Sequence, residues 1–542
     1  MSSTNQQSSW ETKAQIARDI LEKSIPKQWL IDPKVIQATN TRNVTIAVEK
    51  CGLLTDDEIE MTNTTIDGLL EKYRGGIWTA EAVVAAYIKR ATIGHQLLNF
   101  ATEFLAESAI NTARNLDKHF RETGTLVGPL HGVPVSVKEH IGIGGARCNA
   151  SFVSKIDSVI EEDALIVKLL KAAGAVIHVR TNQPQSIMHL DCNNNITGMT
   201  LNPLDERLSP GGSSGGEGAA IGFRCSVLGV GTDIGGSIRA PAAFCNAYGF
   251  KPTALRNPSF GLVGAMGGQE GIRGCVGPLA RNLDDLMTFE KVIWDQEPWE
   301  VDTVLVPLPW REAKVSPGTL TVGIMFDDGL VRPHPPVIRA LVEAEKKLKA
   351  SGIETVLWEP HNHPEGWEIL RQLYFPDGGE RVRAIFNESG EPVMPLTEYA
   401  LTRGSKEPLT IHQTWDLNMR REKLRREYHA LMRERGVDVI LCPSYAGVGA
   451  LQGTPTYWLY TAIWNALDQP AVSFPSNVVA DKDLDKADAA YEPRSDEDKK
   501  EWEAYDPELF HGIPVSVQLV GKHHRDEELL EAAKIIEGAL LS

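Results

Sequence analysis

Lys138 closes the run Gly132-Val-Pro-Val-Ser-Val-Lys138-Glu139, whose composition reads as a hydrophobic strand. An ammonium at the end of such a strand is partly desolvated, and desolvation disfavours the charged form. A lysine made neutral in this way is a competent general base near about pH 7 to 8. The competing reading pairs the same lysine with Glu139 or with another surface carboxylate. A second run, Gly211-Gly-Ser213-Ser214-Gly-Gly216, sets two hydroxyls among glycines that supply no packing volume and cost entropy to order. A site that needs both hydroxyls on a cramped backbone accounts for that composition. The run also fits the G-x-S-x-G string centred on Ser213, but that elbow follows a strand, and Leu208-Ser-Pro210 precedes this one. In the third run, Gly231-Thr-Asp233-Ile-Gly-Gly-Ser237-Ile-Arg239-Ala-Pro241, glycines let successive N–H groups aim at one point, which is how an oxyanion hole is built. Ser237 then reads as a nucleophile with its own N–H among the donors. A serine capping a helix that starts near Ile238 is the structural alternative.

These runs need a scaffold. Residues 211–236 hold ten glycines, and residues 221–230 within them carry Ile, Phe, Val and Leu. A linker would be polar and lack the β-branched residues, so the stretch reads as buried backbone packed against backbone or ligand. Elsewhere an amphipathic helix, a glycine and a short β-branched run recur. Asp163 is expected to cap a helix through Leu165, Val167, Leu169 and Leu170 that stops at Gly174, with a strand over 175–179. A helix over 337–351 stops at Gly352 before a strand over 353–358, and a helix over 418–435 stops at Gly436 before a strand over 437–441. Helices alternating with buried strands imply an α/β fold whose sheet is covered on both faces. His131-Gly-Val-Pro-Val-Ser-Val137 and His511-Gly-Ile-Pro-Val-Ser-Val517 echo each other as turns entering central strands, without a fixed period.

Residues 211–242 resemble the amidase signature at every defined position: Gly-Gly-Ser-Ser-Gly-Gly, a small-residue stretch, then Gly-x-Asp-x-Gly-x-Ser-x-Arg-x-Pro. Lys138 precedes Ser213 by 75 residues and Ser213 precedes Ser237 by 24, spacings that also resemble the family. The resemblance implies that Ser237 is the acylated nucleophile, Ser213 a bridging serine preceded by a cis peptide bond, and Lys138 the base. It implies that Ile234, Gly235, Gly236 and Ser237 supply a backbone oxyanion hole, and that Ser214, Asp233 and Arg239 support the site. Gly128-Pro-Leu-His-Gly-Val-Pro134, Gln269-Glu-Gly271, Val276-Gly-Pro-Leu279, Gln296-Glu-Pro-Trp299 and the 511–515 run resemble the fungal acetamidase, or general amidase, branch. The implied fold is the amidase signature fold, a large mixed central β-sheet covered by helices on both faces. A single domain would then span 1–542: a helical region over 1–95, a catalytic core over 96–300, and a part over 301–542 that completes the sheet. The implied activity is hydrolysis of a carboxamide, acetamide-like substrates first. Tailoring of a secondary metabolite and detoxification of a xenobiotic amide or carbamate are alternatives. A glutamine-hydrolysing amidotransferase subunit, a membrane-bound fatty-acid amide hydrolase and a non-catalytic binding protein are less favoured. No cofactor and no metal are implied, and a homodimer is possible for such a scaffold.

Composition bounds these expectations. A formal charge of -17 over 542 residues argues against nucleic acid as a partner. The seven cysteines are scattered, without metal-site spacing, and are expected to be reduced and mostly buried. Residues 1–9 are polar and lack the apolar core of a signal peptide, no apolar run is long enough to span a membrane, and Leu540-Leu541-Ser542 is no peroxisomal address. A cytoplasmic location, with no membrane partner, is the expectation. Residues 481–508 hold twelve acidic and five basic side chains and read as a mobile, solvated excursion with a helical piece near 495–503. His334, His361 and His363 lie in Pro-rich loops and offer no triad. His131, His140, His178 and His189 lie near the active runs, as packing residues or pocket lining. Tyr457, Trp458, Tyr460 and Trp464 are candidates for core or for an acyl-pocket wall.

Overall fold

The computed structural model describes residues 10–38 and 42–542. The polar 1–9 segment read for a targeting signal lies outside the described residues. Eleven strands form one sheet: β1 Ala101–Phe104, β2 Pro134–Lys138, β3 Val176–Thr181, β4 Leu228–Asp233, β5 Tyr248–Lys251, β6 Cys275–Ala280, β7 Thr321–Ile324, β8 Glu354–Leu357, β9 Val439–Pro443, β10 Ala471–Val479 and β11 Pro514–Val520. Their order is β1-β3-β2-β4-β6-β5-β10-β11-β9-β7-β8. The sheet is mixed: β2 runs parallel to β3 and β4, and β7 runs parallel to β8 and β9. The segments between these two groups pair antiparallel.

Both faces are buried, and the strand residues alternate between two cores. In β9, Val439 and Leu441 join one cluster while Ile440 and Cys442 join the other. In β11, Leu519 and Val520 divide in the same way, as a period of two requires. One cluster is closed by helices such as Leu165–Ala172, Leu283–Trp294 and Asp526–Leu541. The other is closed by His363–Tyr374, Ile411–Glu434 and Leu459–Ala466. The two echoed runs lead into β2 and β11, both interior strands of this sheet.

Gly174, Gly352 and Gly436 stop their helices with positive φ, as expected. At Gly174 the need is also steric, because a Cβ there would stand 2.7 Å from His131 Cα. Asp163 does not cap the helix that follows it. The cap position is Ala164, with no side-chain bond, and Asp163 instead accepts from the Gly144 amide at 2.9 Å and from Lys171 at 2.7 Å. The acidic stretch also differs from expectation. The helix Asp496–Glu503 forms, but Asp485, Asp498 and Glu501 are buried. Asp485 takes Arg339 at 2.7 Å, Asp498 accepts from the Arg332 amide, and Glu501 accepts from Tyr445 Oη at 2.7 Å. Partners on the body outweigh the mutual repulsion that the charge count suggests. Cys51 is half-buried, the other six cysteines are buried, and all seven are free thiols.

Candidate active site

The carboxyl ends of parallel strands are where an α/β sheet opens toward ligands. Lys138 is the last residue of β2 and Asp233 the last of β4, its parallel neighbour. The Gly211–Gly212–Ser213 segment crosses this edge and enters the helix Gly215–Gly222, with a cis Gly212–Ser213 peptide bond, as the resemblance implied. The turn over 234–238 leaves β4 and enters the helix Arg239–Phe244. Three runs distant in sequence therefore converge at one place.

Lys138 is fully buried and donates to Ser213 Oγ at 2.7 Å and to Thr232 Oγ1 at 3.1 Å. Burial pushes its amine down to about 7, against the opposing influence of Cys192, Asp233 and Glu217. The surface-pair alternative does not hold. Glu139 accepts from the Asn149 and Ala150 amides and from Gln183, and its ion-pair partner is Arg180. Ser214 ties two of the runs together: its amide donates to Ser237 O at 3.0 Å, and its hydroxyl bonds the Thr232 backbone. Ser237 is 8 % exposed against 1 % for Ser213, so the site opens at Ser237. It does not cap the following helix, whose cap position is Ile238.

Asp233 and Arg239 hold the turn. Arg239 is fully buried and donates twice to Asp233, at 3.1 and 3.0 Å. Its other hydrogens go to Asn465 Oδ1, Thr461 O and Gln518 Oε1. Burial works against a charge on Asp233, but the Arg239 guanidinium holds its carboxyl well below the usual carboxylate range. Asp233 Oδ1 also accepts from the Gly236 amide at 2.7 Å, and Oδ2 from the Ile238 amide at 3.1 Å. That first bond corrects one expectation. The Gly236 N–H is committed to a carboxylate and is not free for an oxyanion, whereas among the described residues no acceptor takes the Ile234, Gly235 or Ser237 amides. Tyr374 Oη donates to Ile234 O at 3.0 Å, and Thr461 Oγ1 to Gly235 O at 2.7 Å, so the carbonyls are turned away from the free amides.

Several of these partners were not singled out from sequence. Thr232 occupies the undefined position of the Gly-x-Asp motif, and its place beside the aspartate was the available signal. Thr461, Asn465 and Gln518 lie more than two hundred residues away and carry no local signal. Of the aromatics, Tyr457, Tyr460 and Trp464 are core, and Trp458 alone of the four lies beside the turn, 3.5 Å from where a Gly235 Cβ would stand. His178 bridges Val135 O and Cys225 O, and His131 accepts from the Val127 amide, both structural tasks. His140 reaches Thr232 Oγ1.

A buried lysine whose charged form is disfavoured, bonded to one serine and set close to a second on a turn of free amides, is the equipment of an acyl-transfer hydrolase. The chain belongs to the amidase family, whose model matches residues 82–530. It is 44% identical over 511 residues to a Schizosaccharomyces pombe protein named as an amidase, covering 94% of this chain and 95% of the relative. An acetamidase of Aspergillus oryzae is 36% identical over 546 residues, covering 98% of this chain and 99% of its own. Among solved structures, a fatty acid amide hydrolase superposes with a TM-score of 0.95 at 38% identity, covering 98% of this chain and 95% of that one. Among the described residues no helix is long and apolar enough to cross a membrane.

Proposed function

We propose that the protein hydrolyses small carboxamides, acetamide-like ones first, through an acyl-enzyme on Ser237. The observation that carries this reading is the 2.7 Å bond between a fully buried Lys138 and Ser213, whose neighbour Ser214 bonds Ser237 O at 3.0 Å, with Ser237 the more exposed serine. Neutral Lys138 takes the Ser213 proton as Ser213 takes that of Ser237. Ser237 Oγ attacks the carbonyl carbon, and the oxygen that becomes negative is met by the Ile234, Gly235 and Ser237 amides. One such donor is worth about 2.7 to 4 kcal/mol in the transition state. Ser213 returns a proton to the departing nitrogen, which leaves as ammonia or an amine, and water then releases the acid. The acetamidase relatives favour the small acyl group. A longer acyl chain is a second reading, favoured by the half-buried apolar side chains of Ile234, Met188 and Val263, which pack against the same core cluster that holds Trp458, and by the likeness to a fatty acid amide hydrolase.

Ammonia release from acetamide, longer aliphatic amides, aryl amides and indole acetamides tests both readings. Ser237→Ala is expected to abolish turnover, and Lys138→Ala to lower kcat by about 10²- to 10⁴-fold. Turnover in Ser237→Ala near that of the wild type removes the acyl-enzyme assignment. The aliphatic series separates the two acyl readings by where kcat/KM peaks.

A further inference from the structure

Two polar groups beside the base have no task in the scheme above. The Thr232 hydroxyl that accepts from Lys138 Nζ at 3.1 Å lies 2.9 Å from His140 Nε2. The other ring nitrogen, His140 Nδ1, lies 3.0 Å from the Val263 carbonyl oxygen, and the Val263 amide returns a bond to His140 O at 2.9 Å. A carbonyl oxygen only accepts, so Nδ1 carries the ring hydrogen. Burial, then the charge of Lys138, push the His140 ring down to about 3, so it is neutral at working pH. A neutral imidazole with its hydrogen on Nδ1 has a bare Nε2, which can only accept. Thr232 owns one hydroxyl hydrogen, and that hydrogen is directed to His140. Its oxygen is left facing Lys138 as an acceptor. Cys192, Asp233 and Glu217 also act on the amine electrostatically, and its hydrogen-bond partners are Ser213 and Thr232.

We propose that His140 is a positioning residue for the base: by taking the Thr232 hydroxyl hydrogen it obliges Lys138 to aim an N–H at Thr232 and keep its lone pair for Ser213. The inference rests on Lys138 acting as the base through Ser213. A neutral amine has two hydrogens and one lone pair. An approach to Thr232 that admits only N–H fixes one hydrogen. Without His140 the hydroxyl is free to turn and donate to the lone pair, and an amine engaged in that way cannot take a proton from Ser213. His140 touches no reacting atom in this account, so its removal acts on kcat and not on KM.

The test is a double-mutant cycle on the purified full chain, with Tm recorded for every variant. H140L is expected to lower kcat about 10- to 100-fold with KM unchanged, a fraction of the full contribution of a general base. H140Q, which keeps an acceptor, is expected to recover most of that loss. T232V, which has no hydroxyl to misdirect, is expected to be milder than H140L, although Thr232 touches the base and His140 does not. Added to T232V, H140L is expected to cost no more than about twofold, since the pair acts as one unit. A packing role predicts the reverse: equal losses from H140L in both backgrounds. That result, or wild-type kcat in H140L, overturns the proposal. H140A runs through the same cycle, so a folding defect confined to H140L leaves the cycle readable. Turnover that survives S237A overturns the parent reading and this one with it, whereas S237A-sensitive turnover with an unresponsive H140L overturns this one alone.

Discussion

In the proposed mechanism Lys138 is the base, and its environment makes a statement about pH. Burial lowers its pKa from 10.5 to about 7, and three nearby groups that favour the charged form only partly offset this. In that mechanism the active form is the unprotonated amine. Its fraction falls tenfold for each unit below about pH 7 and saturates above it. The expected profile of log kcat/KM therefore rises with unit slope through the acidic range and levels near neutrality. A rate that stays flat from pH 5 to pH 8 would contradict a lysine base, because no pKa in that range would then control turnover. The same burial explains why the neighbouring groups are kept apart. Glu139 lies next in sequence but is held by two backbone amides, Gln183 and Arg180, so no carboxylate bonds directly to the amine to recharge it. Glu217 is a second buried carboxyl, after Asp233, that acts on the amine electrostatically. It accepts from Ser136 Oγ and Thr181 Oγ1, joining its helix to β2 and β3, and burial raises it to about 8.

In the proposed mechanism the turn between β4 and the helix Arg239–Phe244 serves the oxyanion as Lys138 serves the proton. Its shape depends on Gly236, whose φ of +127° lies in the left-handed region, and whose missing Cβ would run into Thr461 Oγ1. Thr461 cannot step aside, since its hydroxyl holds Gly235 O and its carbonyl holds Arg239. Gly236→Ala is expected to cost about 1 to 3 kcal/mol of stability from backbone strain. It is also expected to lower kcat by about 10²- to 10³-fold, because the Gly235 and Ser237 amides move with it. Urea midpoints and kcat measured on one preparation check both, and an unchanged kcat would remove this turn from the oxyanion role. The glycine and serine runs were legible because a cramped backbone leaves a local composition. The same is true of the helix stops at Gly174, Gly352 and Gly436, where one residue answers one conformational demand. Boundaries were less legible. The strand expected over 437–441 is β9, Val439–Pro443, and the helix expected over 418–435 starts at Ile411. Ile411, Trp415 and Met419 stand 66%, 60% and 71% exposed, so the apolar periodicity of that helix misleads at its start, although Thr410 and Gln413 form a capping box. The contacts that aim Arg239 and Thr232 are tertiary, made across strands or from the helix Leu459–Ala466, and no window of sequence contains them.

At the scale of the whole molecule, what makes the site work also sets where the protein is most stable. Burial raises Asp285 to about 6, Asp328 and Glu501 to about 7 and Glu217 to about 8, and raises Glu290 well above its ordinary value. Each of these binds a proton in the folded chain over a range where the unfolded chain has lost it, so each contributes stability that is lost as pH rises through its folded value. The buried histidines act in the opposite direction. His95, His178 and His334 are lowered to about 4, and His140, His189 and His363 to about 3. Their penalty is paid below the unfolded value of about 6.5 and vanishes above it. Between about pH 4.5 and 6.5 the two sets largely cancel. Above 6.5 the histidines fall silent while Glu217, Asp328 and Glu501 still ionise. Lys138, whose lowered pKa makes stability rise from about pH 7 upward, offsets only Glu217 there and leaves the loss from all three carboxyls below that value unopposed. The formal charge of -17 counts these carboxyls as ionised, so each ionisation brings the folded chain closer to that repulsive value. Urea midpoints are therefore expected to stay level from about pH 4.5 to 6.5 and to fall from about 6.5 to 8, the interval in which kcat/KM levels off. Glu217→Gln keeps a hydrogen-bonding side chain between Ser136 and Thr181 but removes one ionisation, so its midpoint should fall less steeply across that interval. A wild-type midpoint that rises from pH 6.5 to 8 would mean that these carboxyls are ionised in the native state and that pairing outweighs burial. A falling midpoint left unchanged by Glu217→Gln would move the proton uptake to Asp328 and Glu501.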